Sequence, residues 1–129
     1  MSNFLLDTHA FIWLTENDSH LPDNLRIIID SADVVYLSIV SLWEIAIKLK
    51  LGKLSLQKSY ETIGSAMEAS DILMLGISFN DTVLVRNLPL HHGDPFDRML
   101  IAQAINHSLV IISRDTKFDA YSDVHRMWV

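Results

Sequence analysis

Short apolar runs separated by amphipathic segments recur along the chain, and this alternation limits the folds open to it more than any other feature. The runs cover residues 4–6, 34–39, 72–77 and 109–112, with a last apolar element near 124–129. Val34, Val35, Tyr36, Leu37 and Ile39 are branched or aromatic side chains that pack well on a pleated surface, so this run is predicted as a strand. The 72–77 run is too short for periodicity to separate a strand from a buried helix segment. Between the runs, THAFIWLTEN after Asp7 and the segment from Pro22 and Asp23 through Ile29 are predicted helices. Over 41–51, Leu42, Ile45, Ala46 and Leu49 recur at steps of three and four, the spacing of one helix face, and Gly52 is a natural stop. A helical stretch is expected over 57–68, and a short helix opened by Asn80 or Asp81 and closed by Pro89. The strongest start signal is Asp94 as cap, Pro95 at the first helical position and Asp97 at the third. Strands spaced by helices imply an α/β fold with a central, mainly parallel sheet covered on both faces. The pattern does not give the strand order.

Composition narrows the function. The 129 residues suit one domain over 1–129, and four Gly and three Pro among them exclude a disordered or collagen-like chain. The absence of cysteine excludes disulfides, thiolate metal sites and cysteine nucleophiles, and fits a reducing compartment. Ten Lys and Arg against sixteen Asp and Glu give a net charge of -6. That balance argues against charge-driven coating of nucleic acid, which needs cations to replace counterions, but leaves room for a nuclease with a small basic rim. No run approaches the ~20 residues that span a bilayer and no basic leader opens MSNFLLDTHAF, so a cytoplasmic protein without membrane contact is expected.

Four acids stand where the strands end. Asp7 follows the first run, Glu44 lies about a turn into the helix after the second, Asp97 opens the helix before LVII, and Asp115 is three residues past Ile112. In an open parallel sheet these places share the edge at the carboxyl ends of the strands, where sites form. Two like charges 4 Å apart repel by ~4 kcal/mol at an effective dielectric near 20, so such a cluster needs compensation. Oxygen donors without cysteine favour a hard ion, Mg²⁺ or Mn²⁺, and such ions engage phosphates. Each acid also has a plainer reading. Glu44 and Lys48 form an i,i+4 pair worth ~0.2 to 0.5 kcal/mol, Asp94 is a cap, Asp97 complements a helix dipole, Asp115 suits a turn, and Asp7 can cap the following helix. Two of them sit in apolar company all the same, Asp7 against FLL and Glu44 within LWEIAI. His91 and His92 read as loop residues, because neighbours rarely aim both rings at one ion. Phe11, Trp13, Trp43 and Phe96 read as core or interface aromatics, and Phe118 and Tyr121 as packing of the last turn.

FLLDTHAFIWL, SIVSLWEIAIKLKLGKL, HHGDPFDRMLIAQA and LVIISRDTKFDAY, in that order, resemble the signature segments of PIN domains, specifically the VapC-like ribonuclease toxins of prokaryotic toxin-antitoxin pairs. The resemblance covers essentially the whole chain. It implies a three-layer αβα fold and a metal-dependent endoribonuclease that hydrolyses RNA by in-line attack of water, leaving a 5′ phosphate and a 3′ hydroxyl. The family's acids fall on Asp7, Glu44, Asp97 and Asp115, which it makes the catalytic and Mg²⁺- or Mn²⁺-binding residues, with Asp94 and Asp119 in support. Thr8 and Ser38 would hydrogen-bond the acids or the substrate, while Lys48, Lys50, Lys53, Arg98 and Arg114 are candidates to meet RNA phosphates. The resemblance also implies homodimerisation and an inhibitory antitoxin lying across the groove, with exposed apolar residues on the first two helices and over 50–56 as possible surfaces. A phosphoacceptor receiver domain fits less well, since it needs paired acids after the first strand and a lysine after a late one, where this chain has Asp7-Thr8-His9 and SRDTKF. A catalytically silent PIN-like interaction module is weakened by the complete set of acids.

Overall fold

The computed structural model describes residues 2–129. Five strands, β1 (Asn3–Leu6), β2 (Val34–Ser38), β3 (Ile72–Leu75), β4 (Val110–Ile112) and β5 (His125–Met127), form one sheet in the order β3-β2-β1-β4-β5. Every neighbouring pair is parallel. Six helices connect and cover them: α1 (Thr8–Thr15), α2 (Asp23–Asp30), α3 (Ile39–Lys50), α4 (Ile63–Ala69), α5 (Phe79–Asn87) and α6 (Pro95–His107). Two apolar clusters form the core. Phe11, Leu25, Leu37 and Ile45 belong to one, and Leu5, Leu100, Ile101 and Phe118 to the other. Leu5 and Leu6 of the central strand fall in different clusters, as the alternation of side chains across a sheet requires. Among the described residues no helix is long and apolar enough to cross a membrane.

Helix starts follow from side chains placed at strand ends. Asp7 caps α1 by accepting from the Ala10 amide at 2.7 Å, and Ser38 caps α3 by accepting from the Val40 amide at 3.1 Å. The cap at Ser38 ends β2 one residue earlier than the apolar run and starts α3 two residues earlier than the periodicity indicated. At the other end of α3, Gly52 has φ +70°, and the amides of Gly52 and Lys53 return to the carbonyls of Leu49 and Lys48, closing a Schellman turn. Asp94 caps α6 through the Asp97 amide with Pro95 in the first position, as the sequence indicated. The opening of α5 differs. Ser78 is the cap and Asp81 reciprocates from the third position, a capping box. The expected helix over 57–68 is a 3-10 turn at Tyr60–Thr62 running into α4.

Arg98, read from the sequence as a candidate RNA contact, has no access to a ligand. Its side chain is buried and donates to the carbonyls of Val85, Leu88, Pro89 and His92 and to the Tyr121 hydroxyl. Tyr121 in turn donates to the Pro89 carbonyl and accepts from the His92 amide. One guanidinium thus holds the connection between α5 and α6 against the last turn of chain before β5. Charge-assisted hydrogen bonds contribute ~1.5 to 3 kcal/mol, and unpaired buried carbonyls add to the cost of removal. Arg98→Met is therefore expected to lower unfolding free energy by about 2 to 4 kcal/mol in urea denaturation. A change inside 0.5 kcal/mol, the range of ordinary surface substitutions, would show that the clamp contributes nothing.

Candidate functional site

The register of the sheet puts Leu6, Leu37 and Ile112 level with one another. The chain leaves β1, β2 and β4 at one height, and the Asp7 amide still bonds the Ile112 carbonyl. Asp7, Glu44, Asp97 and Asp115 consequently line a single pocket of about 230 Å³ with Thr8, His9, Lys48, His92, Asp94, Lys117 and Phe118. It lies at the carboxyl edge of the strands.

The acids are not equivalent. Glu44 is buried, its Oε1 accepting from the Thr8 hydroxyl at 2.7 Å and its Oε2 from Lys48 Nζ at 2.6 Å. The i,i+4 pair read from the sequence therefore exists, but it faces into the pocket. Asp7 accepts from the Ala10 amide and the Ser113 hydroxyl, and burial, the larger influence, raises its pKa. Burial also raises Asp97, to about 6, against a hydrogen bond from His92 that lowers it; the charges of Asp94 and Glu44 push the same way as burial. Asp115 accepts from the Lys117 amide. Both shifts come first from taking the carboxylates out of water, with repulsion between neighbouring acids adding to it.

His92 is the functional candidate that reading the sequence set aside. Its side chain is almost fully covered, and Nε2 stands 2.8 Å from Asp97 Oδ2. His92, Asp97 and Asp115 each offer a donor atom, all within 4.8 Å of one another. The signal lay in its place two residues before the cap of the helix whose third residue is Asp97, which folds the imidazole back over that first turn. Carboxylates with one imidazole are a donor set compatible with Mg²⁺ or Mn²⁺, the nitrogen tilting it toward Mn²⁺.

Other sequence candidates fall elsewhere. Ser38 is fully buried and used as the α3 cap, so it hydrogen-bonds neither an acid nor a ligand in the pocket. Thr8 does bond an acid, Glu44, and also Ser41 Oγ. Asp119 lies outside the pocket and pairs with Arg126. Trp43 is not in the core; it is 60% exposed and meets Phe96 edge-on. Arg114 borders a neighbouring recess formed with Asp7, His9, Trp13 and Asp115.

A profile of the PIN domain family matches residues 4–124. The fold is similar to solved structures of VapBC2 from Rickettsia felis bound to a fragment of promoter DNA (TM-score 0.70, 16% identity, 97% of each chain covered) and of DNA-bound VapBC from Salmonella typhimurium (0.68, 17%, 98% of each). It is also similar to FitAcB from Neisseria gonorrhoeae, with a TM-score of 0.64 and 22% identity over 97% of this chain and 96% of that one. No curated protein matches the chain.

The raised Asp97 pKa has a definite consequence for the metal-free protein. Its ordinary value is 3.8 and its folded value about 6, so between them the unfolded chain gives up the proton first and stability falls as pH rises. The loss, on the order of 2 to 3 kcal/mol, is complete above the folded pKa. Thermal denaturation in EDTA should show the advantage of Asp97→Asn over the wild type growing between pH 4 and 7. A constant difference would mean that the pocket does not strain Asp97.

Proposed function

The chain belongs to the PIN domain family, and on that ground we propose that it is a Mg²⁺- or Mn²⁺-dependent endoribonuclease, the toxin of a toxin-antitoxin pair. The observation that carries this reading is the meeting of Asp7, Glu44, Asp97, Asp115 and His92 in one pocket. In this reading Asp97, Asp115 and Asp7 would hold the cation, His92 orients Asp97 by donating to it from Nε2, and Glu44 completes the acidic wall. The cation supplies Lewis acidity toward a phosphoryl oxygen and toward water.

The remaining residues of the pocket bind and orient. Thr8 donates to Glu44 and fixes its carboxylate, and Lys48 balances the charge of Glu44 while keeping its ammonium partly exposed. Lys117, also exposed at the pocket, is placed to meet the strand's backbone. Lys48 and Lys117 together offer cations to phosphate oxygens there. Thr8 is not a nucleophile in this scheme, because its hydroxyl is buried and donates to a Glu44 carboxylate that is already paired with Lys48. Water is the attacking group.

The proposal extends to partners. The similar solved chains come from complexes described as VapBC and FitAcB. This chain exposes Ile27 on α2, Leu51 after α3 and Phe79 on α5, surface that an antitoxin or a second copy would cover.

Purified protein is expected to cleave RNA with Mn²⁺ or Mg²⁺ and to stop in EDTA. Asp7→Asn and Asp97→Asn should each lower the rate at least about a hundredfold with the circular dichroism spectrum unchanged. Cleavage surviving both changes would remove the assigned site. His92→Gln is expected to weaken Mn²⁺ binding about ten- to a hundredfold by calorimetry, as loss of a ligand's supporting partner does. An unchanged Mn²⁺ affinity would confine His92 to packing against Phe118.

A further inference from the structure

The recess beside the acid pocket has a volume of about 370 Å³ and is lined by Asp7, His9, Trp13, Arg114 and Asp115. Asp7, His9 and Asp115 line both hollows, so the two share a wall. The far side of the recess has the opposite character. Arg114 Cζ stands 4.9 Å from the centre of the Trp13 ring, and its exposed guanidinium has no hydrogen bond or ion pair among the described residues.

Apart from Lys117, which lines the acid pocket itself, the other cations near the acids are already committed. Lys48 is paired with Glu44, Arg98 is spent on carbonyls, and Arg126 is paired with Asp119. Arg114 adjoins Asp115 in the chain yet pairs with no carboxylate. It lies instead on an aromatic platform, since Trp13 is itself stacked with His20 at 5.1 Å and met edge-on by Trp128 at 6.0 Å. A guanidinium held over an indole keeps its planar fork of N–H donors for an outside acceptor, and that fork matches phosphate oxygens.

We propose that this recess is a backbone subsite for the RNA strand, in which Arg114, laid on Trp13, receives the phosphate next to the scissile one. The assignment rests on the nuclease reading, which seats the scissile phosphate in the acid pocket across the shared wall. Arg114 binds the substrate, and Trp13 is a positioning residue that acts through it. Because the indole is already engaged by His20 and Arg114, the platform serves the cation and reads no base. The subsite therefore adds affinity and sets how the strand enters, without adding sequence preference.

Adenosine 3′,5′-bisphosphate is a suitable probe, since it carries two phosphates one nucleotide apart and no phosphodiester to cleave. In Mg²⁺ it is expected to shift the Arg114 Nε–H and Trp13 indole resonances of the ¹⁵N-labelled protein, which adenosine alone leaves in place. Arg114→Gln should weaken bisphosphate binding about tenfold and, in RNA cleavage, raise KM by a similar factor with kcat little changed. Trp13→Leu should cause a comparable loss that does not add to that of Arg114→Gln. Trp13 also packs on the core, so if that variant does not fold, Arg114→Gln carries the test. Unchanged bisphosphate affinity and KM in Arg114→Gln would overturn the subsite and leave the nuclease reading in place. Arg114-dependent bisphosphate binding without RNA cleavage by the wild type would instead overturn the nuclease reading and leave the recess a phosphate site.

Discussion

β1 is hydrogen-bonded on both sides, to β2 and to β4, with Leu6 level with Leu37 and Ile112. Everything functional hangs from that pairing. Parallel strands in register deliver the chain to one edge at one height, and the residues that follow are caps or acids: Asp7 after β1, Ser38 at the end of β2, and Ser113 and Asp115 after β4. The N-termini of α1 and α3 open at the same edge, where their amides favour negative charge. A sheet slipped by one residue at β1 would turn Leu5 and Leu6 to the wrong layers and carry Asp7 away from Ser113.

The pocket formed there costs the fold stability. Asp97 is held with a raised pKa by burial and by the charges of Asp94 and Glu44, a state that folding alone does not favour. Glu44 differs in its partners, since Lys48 and Thr8 satisfy both of its oxygens within the protein. The acids thus divide into one that is internally balanced and others that look outward for a counter-charge. That division is what a site for an exchangeable cation requires, whereas a uniformly paired cluster would be a structural ion network.

The fold was legible in the chain because its signals are local. The branched runs, the Asp94-Pro95 start and Gly52 each act within a few residues of where they stand; the start and the stop appear as the sequence indicated, and the 34–39 run is a strand that the Ser38 cap ends one residue early. The convergence of the acids was legible only through the fold, since strand order is a property of distant pairings. His92 was missed because its partner, Asp97, is reached by a turn of loop and not by helical or strand spacing. Arg98 was misread for a geometric reason. Consecutive residues on a helix point about 100° apart, so being next to Asp97 in sequence directs Arg98 away from the pocket. Trp43 followed the helix's apolar pattern in type but not in position, and it faces outward.

The guanidinium clamp on the carbonyls of Val85, Leu88, Pro89 and His92 carries an evolutionary implication. Surface connections ordinarily tolerate insertion and deletion, because lengthening a loop costs little in closure entropy. Here an added residue would slide four acceptors out of reach of one fixed donor group and swing His92 off Asp97. Among the described residues, the stretch between α3 and the 3-10 turn has no such side-chain tether beyond Glu16, which accepts from the Gln57 amide. Among descendants of this chain, length variation is expected to accumulate in that second stretch, while the connection before α6 keeps its residue count as its side chains diverge.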